Sequence, residues 1–249
     1  MKREGYLKSE FQMDKQFLRE KIWRELEASG AAAFPKPIRG RIPNFVGSSE
    51  AARRLGSLPA YLSAKSIFVN PDAAQLAVRE MALRGGKQLL MATPRLRHGF
   101  VLIDPAKVVD FRQAASIGGA FRHGRKVSPR GLKVDLVVEG SVAVDRMGGR
   151  VGKGGGYGDL EFAILCELGT VTEETPVVTT VHPLQIVARV PMEEHDVPVD
   201  YIVTPDQIIK TSRHYPRPSG IDWDLLPADA LKQIPLLAEL RKEHDHGCR

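Results

Sequence analysis

Between Asp145 and Asp159 the chain reads DRMGGRVGKGGGYGD, with glycine at 152, 154, 155, 156 and 158 interrupted only by Lys153 and Tyr157. Glycine at this density is costly unless the backbone needs unusual dihedrals or a ligand must approach closely. Consecutive amide N–H groups in such a run form a concavity that binds anions. A helix opening just beyond it adds the positive end of its dipole. Arg150 and Lys153 supply full charges for phosphate oxygens. Asp159, at the start of that helix, either caps it or holds a magnesium ion through oxygen ligands. The chemistry implied is phosphate binding, with a flexible hairpin connection as the bland alternative. No Lys-Ser/Thr pair closes the run, so it is not a Walker A loop, and it lacks the dinucleotide GxGxxG of a first βα turn.

Other residues carry weaker signals. Lys15 and Arg19, four apart in KQFLRE, share one helix face; by themselves they read better as an ordinary solvated face. Arg95 and Arg97 in TPRLR follow an expected strand, so they either enter a ligand crevice or form a basic surface turn. His98, His123, His182 and His195 have no metal-ligand spacing, and Ser141 lacks the Gly-x-Ser-x-Gly elbow of a hydrolase.

Positioning these residues requires elements on either side of them. Helical spacing of Phe17, Leu18, Ile22, Trp23 and Leu26 predicts a helix over about 9–29, which Gly30 stops. SEAARRL predicts a second helix ended by Gly56. Short apolar strands are expected at 66–70, 88–92, 100–103, 134–138, 177–181 and 201–204. Helices are expected at 71–84 and 160–168, with a basic loop at 112–133 and an amphipathic tail over about 227–244. Strands alternating with helices indicate an α/β fold with a mainly parallel sheet and helices on both faces. Ligands in such sheets sit beyond the strand C-termini, where the glycine run falls.

Length and composition narrow the classes. A chain of 249 residues, 43 % hydrophobic, fits one α/β domain over 1–249 with a sizeable core. No apolar run approaches the roughly 20 residues of a membrane span, and MKREGYLKSEF has no signal-peptide stretch. Cys166 and Cys248 form neither a metal spacing nor a disulfide framework, so a cytoplasmic location without a membrane partner is expected. The net charge of +6 favours anionic partners. Much of it lies in 36–54 and 112–133; nucleic acid is one such partner, disfavoured because stacking aromatics are not interleaved.

RVGKGGGYGD, preceded by VDLVVEGSVAVD, resembles the signature of the 5-formyltetrahydrofolate cyclo-ligases (methenyltetrahydrofolate synthetases), in which an Arg-apolar-Gly-x-Gly-x-Gly-Tyr-Tyr-Asp loop binds ATP phosphates. Lys15 and Arg19 look like the family's N-terminal pair that reaches ATP. Gln185, Pro191 and the stretch from His195 to Pro205 resemble its C-terminal portion. VNPDAAQLAVRE, ATPRLRHGF and VTTVHPLQIV are similar to the branch called methenyltetrahydrofolate synthetase domain-containing. Some of its members carry an RNA-recognition module; no RNP aromatic motif follows Asp206, and the chain is expected to stop before one.

The resemblance implies a Rossmann-like three-layer sandwich of the cyclo-ligase (NagB/RpiA/CoA transferase-like) type. It implies an ATP- and magnesium-dependent ligase that turns 5-formyltetrahydrofolate into 5,10-methenyltetrahydrofolate with ADP and phosphate. Arg150, Lys153 and Tyr157 would be catalytic. Lys15, Arg19, Arg150, Gly152, Lys153, Gly154, Gly155, Gly156, Tyr157 and Asp159 would hold ATP, Asp159 also the metal, and Arg95, Arg97 and Gln185 the substrate, a reduced folate. Three departures bear on folate more than on ATP. The family's Glu after the first sheet strand is replaced by the turn Asn70-Pro71-Asp72-Ala73. Tyr157-Gly158-Asp159 stands for Tyr-Tyr-Asp, and Ile103-Asp104-Pro105 is the nearest equivalent of a Glu-Pro pair. ATP binding is therefore expected to be retained and folate binding to be weak or altered. The alternative is a relative that binds nucleotide or RNA without cyclising folate.

Overall fold

The computed structural model describes the backbone of residues 4–227 and 229–247, and side chains from residue 15 to 246 apart from 228. Cys248 lies outside the described residues. α1 (Glu4–Ala28) is followed by a proline-rich connector, α2 (Ser48–Leu55) and the short α3 (Pro59–Ser63). β1 (Ser66–Val69) leads through a 3-10 turn into α4 (Leu76–Arg84), and β2 (Gln88–Ala92) and β3 (Phe100–Ile103) follow. Next come α5 (Phe111–Ala114), α6 (Ile117–His123), β4 (Arg125–Val127) and β5 (Leu136–Glu139). A small hairpin of β6 (Ala143–Val144) and β7 (Arg150–Val151) delivers the chain to α7 (Tyr157–Glu167). β8 (Val177–Thr180), β9 (Tyr201–Val203), β10 (Ile208–Lys210), α8 (Ala230–Gln233) and α9 (Pro235–Gly247) follow.

The main sheet has the order β10-β9-β8-β5-β1-β2-β3-β4. Its centre, from β9 through β8, β5 and β1 to β2, is parallel, while β10, β3 and β4 add antiparallel edges. The central strands are mostly apolar because both faces are covered, with polar residues at their ends such as Glu139 of β5 and Thr180 of β8. In β1, Ile67 and Val69 point into a core built with α2, α3 and α4, while Phe68 points to the other face, against residues of α7 and α9. A third cluster joins Ile22, Trp23 and Leu26 of α1 to the hairpin and the proline-rich connector. This cluster sets α1 beside the hairpin, and so beside the glycine run.

Two expectations are corrected. The stretch 112–133 is not a loop: it contains most of α5, and all of α6 and β4. Asp110 accepts a hydrogen bond from the Gln113 amide and Ser116 one from the Gly119 amide, each 2.9 Å, capping α5 and α6. Ala114, Ala115 and Ala120 bury their small side chains in the core, an apolar pattern hidden among the basic residues. The helix expected from residue 160 starts a turn earlier, at Tyr157, because Gly156 adopts φ 67° as its N-cap.

Candidate functional site

β1 has β2 on one side and β5 on the other, and all three run parallel. The chain leaves β1 for α4 on one face of the sheet and leaves β5 for α7 on the opposite face. A crevice therefore opens beyond the C-termini of β1 and β5, the position at which doubly wound sheets bind ligands. Asn70 stitches its two lips: its Oδ1 accepts from the Gly140 amide at 2.7 Å and its Nδ2 donates to Glu161 at 2.9 Å. Arg79, fully buried, donates to the Asn70 carbonyl, to the Asp72 carbonyl at 2.9 Å and to the Ala115 carbonyl at 2.7 Å. Burial pushes its pKa down to about 10, with Asp72 opposing, so it is charged at neutral pH.

The hairpin carries the glycine run to the crevice. Asp145 fixes its turn by accepting from the amides of Met147 at 2.8 Å, Gly149 at 2.9 Å and Val190 at 2.7 Å. Gly154 (φ 106°) and Gly156 (φ 67°) take left-handed conformations that a side chain would strain. From α1, Arg19 Nε donates to the Gly152 carbonyl at 2.8 Å. A Cβ at Gly154 would lie 3.5 Å from Arg19 Cζ, so glycine leaves the space before that guanidinium open.

The expected site residues are distributed as follows. Arg19, Lys153, Tyr157 and the glycines converge at the N-terminus of α7. Lys153 is half-exposed and reaches Asp72 across the crevice at 2.7 Å. Tyr157 opens α7 and packs partly on the core. Arg150 departs from its expected role as a phosphate ligand. It lies in β7 rather than in the loop, and its guanidinium is buried. There it pairs with Asp159 and donates to the Val197 carbonyl at 3.2 Å. Burial opposes its charge, but Asp159 and then Glu139 outweigh burial and raise its pKa. The same Asp159 oxygen accepts from the Val197 amide at 3.0 Å, which leaves its other oxygen for a metal.

Lys15 does not reach the loop. It is buried between Glu193 at 2.7 Å and Asp196 at 2.6 Å, and it draws the 193–196 turn under α1. Glu193, His195 and Asp196 are the one group with metal-like spacing among the described residues, and the Lys15 ammonium already bridges its two carboxylates. Gln185 departs from its expected role at the substrate. It is fully buried, donates to the carbonyls of Ser141 at 2.8 Å and Val142 at 3.2 Å, and accepts from the His182 amide at 2.8 Å. Arg95 and Arg97 are exposed on a turn packed against α7, where Arg95 (φ 55°) and Leu96 (φ 53°) are strained. No ion pair engages either arginine among the described residues.

Sequence reasoning missed Glu139 and Glu161. Both are buried in the crevice. Burial, reinforced by Asp159 and Asp72 and opposed by Arg150, pushes the Glu139 carboxyl up to about 8. Burial and then Glu139 raise Glu161 well above the usual carboxylate range. The available signal was a single Glu ending the otherwise apolar strand LVVE.

The 5-formyltetrahydrofolate cyclo-ligase family model matches residues 12–205. The chain belongs to that family. It is 42 % identical over 245 residues to the methenyltetrahydrofolate synthase domain-containing protein of Bos taurus, covering 94 % of this chain and 64 % of the relative. The Mus musculus protein of that name is 43 % identical over 237 residues, covering 92 % and 64 %. The chain thus spans 64 % of the length of these two curated relatives. Among solved structures, the 5,10-methenyltetrahydrofolate synthetase of Aquifex aeolicus superposes with a TM-score of 0.50 at 21 % identity, covering 80 % of this chain and 93 % of its own. That likeness establishes the cyclo-ligase fold. Among the described residues no helix is long and apolar enough to cross a membrane.

Proposed function

We propose that this cyclo-ligase is an ATP- and magnesium-dependent enzyme that converts 5-formyltetrahydrofolate to 5,10-methenyltetrahydrofolate, ADP and phosphate, acting in the cytoplasm as one α/β domain over residues 1–249. The observation that carries the reading is the glycine cradle at the start of α7, with Arg19 and Lys153 on either side of it. The formyl oxygen attacks the γ-phosphorus and the bond to the β-phosphate oxygen breaks, releasing ADP. N10 then bonds to the formyl carbon and loses its proton, and the carbon–oxygen bond breaks to release phosphate.

The protein's part is positioning and charge neutralisation. The loop amides and the α7 dipole hold phosphate oxygens, Lys153 exchanges Asp72 for phosphate, and Arg19 covers the far side. Arg150 acts as a positioning residue that locks Asp159 and, through it, the first turn of α7. Asp159 would hold a magnesium ion through its second oxygen, and the ion would supply neutralisation of phosphate charge. Arg95 and Arg97, exposed on the turn packed against α7, would attract the folate carboxylates. The test is ADP release measured with and without 5-formyltetrahydrofolate, with methenyl product followed by absorbance. ATP binding without product would favour the second reading, a nucleotide-binding relative, which the burial of Gln185 supports.

Lys153→Ala is expected to weaken ATP binding by roughly one to two decades, the loss of one charge-assisted contact of about 1–3 kcal/mol. Its melting temperature should stay near wild type, because the half-exposed bridge to Asp72 contributes only about 0–1 kcal/mol. Calorimetric titration beside a thermal melt checks both; unchanged ATP affinity would remove Lys153 from the site.

A further inference from the structure

The β4 edge of the sheet carries charge that the fold does not use. From residue 94 to 103 and from 111 to 134 the chain contains no Asp or Glu. These stretches supply the turn before β3, then β3, α5, α6 and β4, so this end of the sheet is built without a carboxylate of its own. Arg112, Arg130 and Lys133 meet acids from elsewhere, Glu80, Glu243 and Asp135. Arg95, Arg97, Arg122, Arg125 and Lys126 do not: all are exposed, and none forms an ion pair among the described residues. Like charges gathered without counterions repel one another, and an anion relieves that repulsion.

Apolar groups stand among these charges. Ile117 and Phe121, four apart on α6, share a face and are 42 % and 48 % exposed. The 94–98 turn comes up beside them. His98 sets its ring edge-on to Phe121 with centroids 6.0 Å apart, and Thr93 and Pro94 line a hollow with Ile117 and Phe121. Arg97 and Arg122 are the chain neighbours of that ring pair. In β4, Lys126 stands opposite Val101, which lines the same hollow, whereas Arg125 stands opposite Leu102 and takes the other face. Cations and aromatics that lie apart along the sequence are thus interleaved by the folding of two segments together.

We propose that this edge binds single-stranded RNA, with bases stacking on Phe121 and His98 and phosphates meeting Arg97, Arg122 and Lys126. Every base has a π-face, so stacking on an exposed ring needs no particular sequence; it does need bases that are not already stacked in a duplex. β4 ends the sheet, so among the described residues its outer backbone groups have no strand partner. A ribose 2′-hydroxyl both donates and accepts, and can pair with either kind. Two competing occupants fit less well. The cations on β4 oppose the addition of another strand. A lipid surface would cover the outer backbone groups with a medium that cannot pair them, and α6, of 7 residues, offers only Ile117 and Phe121 for insertion. Phe121, Arg122 and Lys126 do not belong to the glycine cradle, so RNA binding is independent of the ligase reading.

The test is fluorescence anisotropy with a labelled oligouridylate of about 12 nucleotides, titrated at several salt concentrations. Wild type is expected to bind, with log K falling linearly with log salt. Arg122→Ala and Lys126→Ala should each reduce that slope by about 0.7, the contribution of one phosphate on a single strand. Phe121→Leu keeps an apolar side chain in the hollow and should lower affinity roughly tenfold at unchanged slope, while Phe121→Tyr keeps the ring and should restore it. Thermal melts verify that the variants fold, and all four should bind ATP as wild type does. Absence of oligouridylate binding to wild type at low salt overturns the proposal. Wild-type affinity in Phe121→Leu would reduce the edge to a general polyanion site, and displacement by ATP would place the strand in the cradle; either result also sinks it. Tighter binding of oligothymidylate than of oligouridylate rules out RNA as the preferred strand. Binding to phosphatidylserine vesicles but not to the oligonucleotide would give the edge to a membrane instead.

Discussion

Arg150→Ala is expected to remove about 3–5 kcal/mol of folding stability, the cost of breaking a buried ion pair by deleting one partner. The Arg150 side chain is 2 % exposed and that of Asp159 16 %, so water cannot replace the lost guanidinium. The damage would spread along its contacts. Asp159 would be left with the Val197 amide alone, and the Val197 and Gly140 carbonyls would lose a donor. A loss of this size is a large share of the 5–15 kcal/mol typical of a domain. Urea denaturation of Arg150→Ala beside Lys153→Ala separates the two basic residues. The first should shift the midpoint strongly, while the second should leave it in place and affect only ATP. A wild-type midpoint for Arg150→Ala would mean that the guanidinium is free to turn outward, restoring it as a direct phosphate ligand.

Stability should also fall as pH rises from about 5 to 8. Glu139 has its ordinary 4.5 in the unfolded chain and about 8 in the fold. Between those values the folded state holds a proton that the unfolded state has released. Its contribution is therefore fully present below about 4.5 and is lost as pH rises through 8. At 1.36 kcal/mol per pKa unit the full swing is on the order of 5 kcal/mol. Glu161 shifts in the same direction. The groups facing Glu139 are Arg150, Asp159, Asp72 and Asn70, and only Arg150 among them brings an opposing charge. Glu139→Gln is expected to flatten the slope and to be more stable than wild type at pH 8. Urea midpoints measured from pH 5 to 9 check this; a wild-type slope in the variant would mean that another group titrates.

The fold was legible because burial leaves a linear trace. Strands covered on both faces must be apolar over consecutive residues, as in IFV of β1, LLMA of β2 and LVV of β5. The glycine run was legible for a related reason: Gly154 and Gly156 need backbone conformations that other residues resist, wherever the rest of the chain goes. Arg19 was placed by the resemblance of its motif, because spacing alone puts it and Lys15 on one helix face without saying what either meets.

Pairing leaves no such trace. Arg150 and Lys153 are both cations in one motif, yet β7 turns the first inward to Asp159 while the loop leaves the second at the surface, bridged to Asp72. Lys15 finds its partners 178 and 181 residues away. Gln185 has its amide consumed by backbone groups 43 and 44 residues distant. Residue types thus determined an α/β sheet and an anion cradle. Which charges face the ligand, and which are neutralised inside, was decided only when β5, the hairpin and α7 came together, because an electrostatic partner is set by distance in space and not by spacing along the chain.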